Sequence, residues 1–285
     1  MLTLRKKAAS YLELVRLPHL FIVIADPLAG FIAASSSGID IFKLPYLLAS
    51  SALIYAGGSA LNDFADREHD HAGKPIPSGR VSPGGALSLG AVLIIAGVLS
   101  ASAAGAWPLI MALGLSAAAV AYNAGMKNSL VYGAVTMAIS RALNLSLGLS
   151  AGSPGTGVML LLPLIIFAFV FAITLLKRHS GPGTLFSGIG VLSGWIAACA
   201  AIQVLIFSGF FLREGLLFAA MFYVTSGAAV VMALSGRLKA GAAMNALVLS
   251  IPLLDAAFSA GTGGITAGLP VAALALPAIV LSKKF

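Results

Sequence analysis

Ten long apolar stretches, separated by short polar breaks, set the pattern of this chain. They lie at about residues 17–36, 44–62, 84–104, 106–123, 130–150, 158–176, 184–207, 213–234, 241–260 and 265–282. A membrane-crossing helix needs roughly 20 apolar residues, and each stretch is near that length. The pattern predicts an all-α, polytopic membrane bundle of about nine to ten transmembrane helices. Three breaks are short and rich in Gly and Ser: 35–38, 152–155 and 261–264. The longer polar breaks follow the second and the sixth stretch. No linker or change of composition divides the chain, so residues 1–285 are expected to form one integral membrane domain.

Composition agrees with this reading. The chain is 59% hydrophobic and 9% charged, with a mean hydropathy of +1.02, against about 25% charged residues in a soluble domain. The net charge of +8 fits anionic lipid headgroups rather than nucleic acid. Cys199 is the only cysteine, so an intrachain disulfide is excluded. The apolar stretch after Arg5, Lys6 and Lys7 is too long for a signal-peptide core, and so reads as a first span. With the N-terminus in the cytoplasm, fourteen Lys and Arg fall on the inner side and two, Lys43 and Arg213, on the outer. That is a positive-inside pattern. It predicts a multi-pass protein, placed in the bacterial inner membrane, whose chemistry faces the cytoplasm.

The polar break after the second stretch carries the candidate chemistry. Four of the nine carboxylates, Asp63, Asp66, Glu68 and Asp70, fall within eight residues. On a helical wheel Asp63, Asp66 and Asp70 sit near about 0°, 300° and 340°, on one face, and Glu68 points elsewhere. Three like charges on one face call for a cation. Hard carboxylate oxygens suit Mg²⁺, which often takes one or two carboxylates plus a substrate's phosphates. Lys74 and Arg80, flanking a rigid Pro-x-Pro, would offset the remaining phosphate charge.

The stretch from Asn62 to Arg80 resembles the UbiA superfamily of intramembrane prenyltransferases. Asn62, Asp63, Asp66 and Asp70 match its Asn-Asp-x-x-Asp-x-x-x-Asp motif, and Lys74 to Arg80 match the Arg-Pro-x-Pro-Ser-Gly-Arg segment that follows, with Lys in first place. Arg16 to His19 look like its N-terminal Arg-Pro-His segment. Tyr122 and Lys127 match the Tyr and Lys after its fourth span. The resemblance implies a UbiA-like fold and transfer of a prenyl group from a prenyl diphosphate to a small lipophilic acceptor. It implies Mg²⁺ at Asp63, Asp66 and Asp70, with Asn62 completing the catalytic motif. Lys74, Arg80, Tyr122 and Lys127 would contact substrate. Ser140 to Leu145 and Leu254 to Ala256 look closest to the EboC-like branch.

One departure is plain. Family members usually carry a second acidic motif after the sixth span. Here Ile173 to Gly181 hold no carboxylate, and Lys177 and Arg178 stand there instead. Either these cations bind the diphosphate directly, or the protein keeps the fold as a non-catalytic binder or transporter of an isoprenoid or small apolar metabolite. Asp26, Arg141, Asn144 and Asp255 fall inside apolar stretches, where an ionisable group costs about 2.5–3.5 kcal/mol on insertion scales. They are expected either to pair with one another, Arg141 with Asp26 or Asp255, or to line a central cavity and touch substrate. The sequence points to no protein partner.

Overall fold

The computed structural model describes residues 2–35, 38, 40–152, 157–176 and 184–282, and among these every regular element is helical. In chain order the α-helices are α1 (Leu2–Leu14), α2 (Leu17–Val23), α3 (Ala25–Ala34), α4 (Leu44–Asp66), α5 (Pro83–Ala104), α6 (Ala106–Asn123), α7 (Leu130–Leu149), α8 (Leu161–Leu175), α9 (Thr184–Phe207), α10 (Gly215–Leu234), α11 (Ala240–Leu249), α12 (Ile251–Gly263), α13 (Ile265–Ala273) and α14 (Ala275–Ser282). Among the described residues nine helical segments are long and apolar enough to cross a membrane. The remaining expected span, 158–176, is the apolar helix α8, 15 residues long. The chain is therefore an integral, multi-pass membrane protein.

Three spans are broken helices, and proline accounts for the breaks. Proline lacks an N–H and clashes with the carbonyl four residues back. Pro27 follows the α2–α3 junction, Pro252 follows the α11–α12 junction, and Pro270 and Pro277 flank the α13–α14 junction. Pro27 leaves the Val23 carbonyl without its helical donor. That oxygen instead accepts from Asn144 Nδ2 at 2.7 Å and from Ser51 Oγ at 3.4 Å. In a bilayer interior a freed carbonyl needs such partners, and here they tie α2 to α4 and α7.

Close helix approaches depend on glycine. α3 lies against α7 at Gly30 and Gly148, where an added Cβ would run into the Leu145 and Pro27 carbonyl oxygens respectively. This contact brings Asp26 on α3 to Arg141 and Asn144 on α7. α4 lies equally close to α5, where a Cβ on Gly57 would stand 2.6 Å from the Gly90 carbonyl. With its α5 side so packed, α4 presents another face to the interior.

Candidate functional site

That face of α4 forms a wall of a cavity. The cavity encloses about 400 Å³ and is lined from α4 by Ser51, Tyr55, Ser59, Asn62 and Asp66. These residues recur at three- and four-residue steps, one stripe along the helix. α6 and its following turn contribute Leu115, Ala119, Tyr122, Asn123 and Lys127, and α7 contributes Met137, Arg141 and Asn144. Carboxylate and cations therefore gather at one end, Ile54, Leu115, Ala119 and Met137 give apolar walls, and Arg141 and Asn144 stand at the other end. Ser51 and Asp66 are fifteen residues apart on one helix, about 22 Å at 1.5 Å per residue.

The acidic run divides in two. Asp66, the last residue of α4, pairs with Lys127 at 2.7 Å and accepts from Asn62 Nδ2 at 3.2 Å. Lys127 also donates to Asn62 Oδ1 at 3.3 Å, so Asn62, Asp66 and Lys127 form one network on the cavity wall. Asp63 is off this stripe and 5% exposed. It accepts from Arg16 at 3.4 Å and from Lys74 at 3.3 Å. Lys74 also reaches Asp70, at 2.9 Å. Among the described residues Glu68 pairs only with its neighbour Arg67, at 3.0 Å and largely exposed. Among the described residues no three Asp, Glu, His or Cys side chains converge as a metal cage.

Arg16 sits between α1 and α2 at φ 53°, the only non-glycine residue with positive φ among those described. A left-handed backbone at a side-chain-bearing residue costs of order 1–3 kcal/mol and clusters at functional sites. Here it accompanies a guanidinium that both lines the cavity and holds Asp63. For Lys74, burial opposes its charge, but the Asp70 and Asp63 carboxylates outweigh burial and hold the ammonium above its ordinary range.

The other expected site residues are placed as follows. Tyr122 lines the cavity. Arg80 instead braces the loop: it donates to Glu13 at 2.7 and 3.3 Å, to the Gly73 carbonyl at 2.6 Å and to Ser78 at 2.9 Å. Arg141 donates to Asp26 at 2.7 Å, and Asn144 donates to the same oxygen at 2.8 Å. Asp26 and Asp255 are 0% exposed and adjoin each other behind that end of the cavity. So Arg141 is both paired and cavity-lining. Lys177 and Arg178 lie outside the described residues. Ser59, Tyr55 and Asn123 line the cavity but carry no motif at the sequence level. The signal for Ser59 was its place three residues before Asn62, on the same stripe.

Comparison with known proteins follows the same lines. Residues 27–180 match the UbiA prenyltransferase family. The digeranylgeranylglyceryl phosphate synthase of Metallosphaera sedula is 28% identical over 238 residues, covering 76% of this chain and 84% of that protein. The enzyme of the same name from Methanothrix thermoacetophila is 31% identical over 189 residues, covering 65% and 70%. Among solved structures, one of a digeranylgeranylglyceryl phosphate synthase in membranes aligns with a TM-score of 0.68 at 19% identity, covering 91% of this chain and 99% of that one. A UbiA homologue from Archaeoglobus fulgidus, bound to GPP and Mg²⁺, aligns with a TM-score of 0.61 at 16% identity, covering 93% and 99%.

Proposed function

The chain belongs to the UbiA prenyltransferase family, and on that premise we propose that it moves a prenyl group from a prenyl diphosphate to a hydroxyl of a glyceryl phosphate lipid. The observation that carries the reading is the cavity: Asn62, Asp66, Lys127 and Arg16 at one end of a largely apolar enclosure of about 400 Å³. The acceptor class follows the relatives named digeranylgeranylglyceryl phosphate synthase. The acidic end is assigned to the cytoplasmic side by the fourteen-to-two distribution of basic residues.

In this reading the diphosphate lies at the acidic end and the prenyl chain lies along Ile54, Leu115, Ala119 and Met137. Lys127 and Arg16 donate charge-assisted hydrogen bonds to phosphate oxygens, leaving Asp66 and Asp63 to do so. The two carboxylates stand one helical turn apart and fit Mg²⁺, which commonly takes one or two carboxylates and completes its shell with phosphate and water. Asp66 and Asp63 would hold the ion, with Asp70 nearby through Lys74. When bound, it would neutralise charge on the leaving diphosphate. No carboxylate lies between Ile173 and Gly181 to hold a second ion, so Arg16, Lys74 and Lys127 carry more of the compensation. The apolar walls keep water from the allylic carbon as its bond to diphosphate lengthens.

The test is direct. Purified protein, given geranylgeranyl diphosphate, Mg²⁺ and a glyceryl phosphate bearing one prenyl ether, should release diphosphate and form a second ether. Diphosphate release without any prenylated lipid would reject the acceptor class. Absence of both would favour a non-catalytic isoprenoid binder, the reading that the missing second acidic motif supports.

A further inference from the structure

Ser59 is 6% exposed and lines the cavity. A serine inside a helix usually turns its hydroxyl back onto the carbonyl one turn before it. Ser140, Thr136, Thr174 and Ser259 do so here. The Ser59 hydroxyl makes no hydrogen bond among the described residues. It is also absent from the polar atoms sealed off from the surface, which include Ser50 and Ser116. A buried side chain whose oxygen still has accessible surface, on a residue of the cavity wall, offers that oxygen to the cavity.

Its height in the cavity decides what it can meet. Ser59 is three residues from Asn62 and seven from Asp66 on the same stripe of α4, about 4.5 and 10 Å along the axis. With the diphosphate at Asn62, Asp66 and Lys127, the allylic carbon bonded to it lies roughly one turn deeper, at Ser59. Reacting atoms must approach to about 3–3.5 Å. Asn144 stands too deep for this, sharing the Val23 carbonyl with Ser51, about 22 Å from Asp66, and Arg141 is engaged by Asp26 at 2.7 Å.

We propose that the Ser59 hydroxyl hydrogen-bonds the acceptor's hydroxyl and orients it for attack, a role that rests on the function proposed above. The acceptor oxygen forms a bond to the allylic carbon as the bond from that carbon to the diphosphate oxygen breaks. The bonding pair leaves with the diphosphate, and the acceptor's proton passes to an oxygen of the departing diphosphate. Ser59 holds the acceptor oxygen during this exchange and is unchanged by it. A hydroxyl both donates and accepts, so it can hold an alcohol in either sense, whereas a substrate lacking the hydroxyl finds no counterpart here.

Ser59→Ala tests this cleanly, because it breaks no hydrogen bond within the protein. Four quantities are measured on the purified full chain: melting temperature, affinity for a non-hydrolysable geranylgeranyl diphosphate analogue, binding of the mono-prenyl glyceryl phosphate against its deoxy analogue, and kcat/KM for the acceptor. Wild type should prefer the hydroxyl-bearing acceptor about tenfold. Ser59→Ala should bind both alike and lose about tenfold in kcat/KM for the acceptor, with unchanged melting and analogue affinity. Ser59→Thr, which keeps the hydroxyl, should restore the preference. Equal preference in wild type and Ser59→Ala, or none in wild type, overturns the role of Ser59. Failure of wild type to bind the diphosphate analogue overturns the underlying function as well, and is read separately in the first titration.

Discussion

Arg141 on α7 donates to Asp26 on α3 across 2.7 Å, and the same carboxylate oxygen accepts from Asn144 at 2.8 Å. Asp255, on α12, adjoins Asp26, and among the described residues no donor reaches either of its oxygens. Two carboxyl groups thus lie near one guanidinium in a dry interior, but only Asp26 contacts it. The two acids are therefore not equivalent.

Replacing them separately should show this. Asp26→Asn leaves Arg141 unpaired, and breaking a buried pair in this way costs about 3–5 kcal/mol. Asp255→Asn breaks no ion pair seen among the described residues and should cost under about 1 kcal/mol. Thermal unfolding in detergent reads both. Equal losses would mean that Asp255 bears on Arg141 as much as Asp26 does.

Lys74 links Asp63 to Asp70 and is held above its ordinary range by them, against the effect of burial. A cation raised on folding adds stability that is full below its unfolded value, about 10.4, and is lost as pH rises through the higher folded value. The stability difference between wild type and Lys74→Met should be constant from about pH 6 to 9 and shrink above about pH 10.4. A difference that vanishes already near neutrality would place the lysine outside the carboxylate pair.

The α3–α7 contact should not tolerate a methyl group. At Gly148 an added Cβ meets the Pro27 carbonyl and stands 2.8 Å from the Phe31 nitrogen, and overpacking of this kind costs about 1–3 kcal/mol. Gly241 on α11 has open space around its Cβ position, and alanine there should stabilise by about 0.5–1 kcal/mol. Melting temperatures of Gly148→Ala and Gly241→Ala should move in opposite directions.

Much of this was legible in the sequence. Apolar run length gave the spans because a bilayer imposes one length on every helix, and α8 departs from it at 15 residues. Asn62, Asp66 and Lys127 were visible as motif residues, and they meet on the cavity wall. The division of Asp63 from Asp66 was not visible. The two are about 60° apart on a wheel, near enough to share a face, and only the packing of Arg16 and Lys74 around Asp63 separates them. The bracing of Arg80 by Glu13 joins residues 67 apart, which no local pattern encodes. Ser59 could be placed on the Asn62 stripe, but its free hydroxyl could not be read, because a helical serine is ordinarily satisfied by its own backbone.

The central claim is that the Asp66 end of the cavity binds a prenyl diphosphate with Mg²⁺. Isothermal titration with a non-hydrolysable geranylgeranyl diphosphate analogue tests it most directly. Wild type should bind in Mg²⁺ and lose binding in chelator. Asp66→Asn should weaken binding at least about tenfold, and Glu68→Gln, on an exposed pair with Arg67, should leave it unchanged. Binding indifferent to Mg²⁺, or equally strong in Asp66→Asn and wild type, would contradict the account.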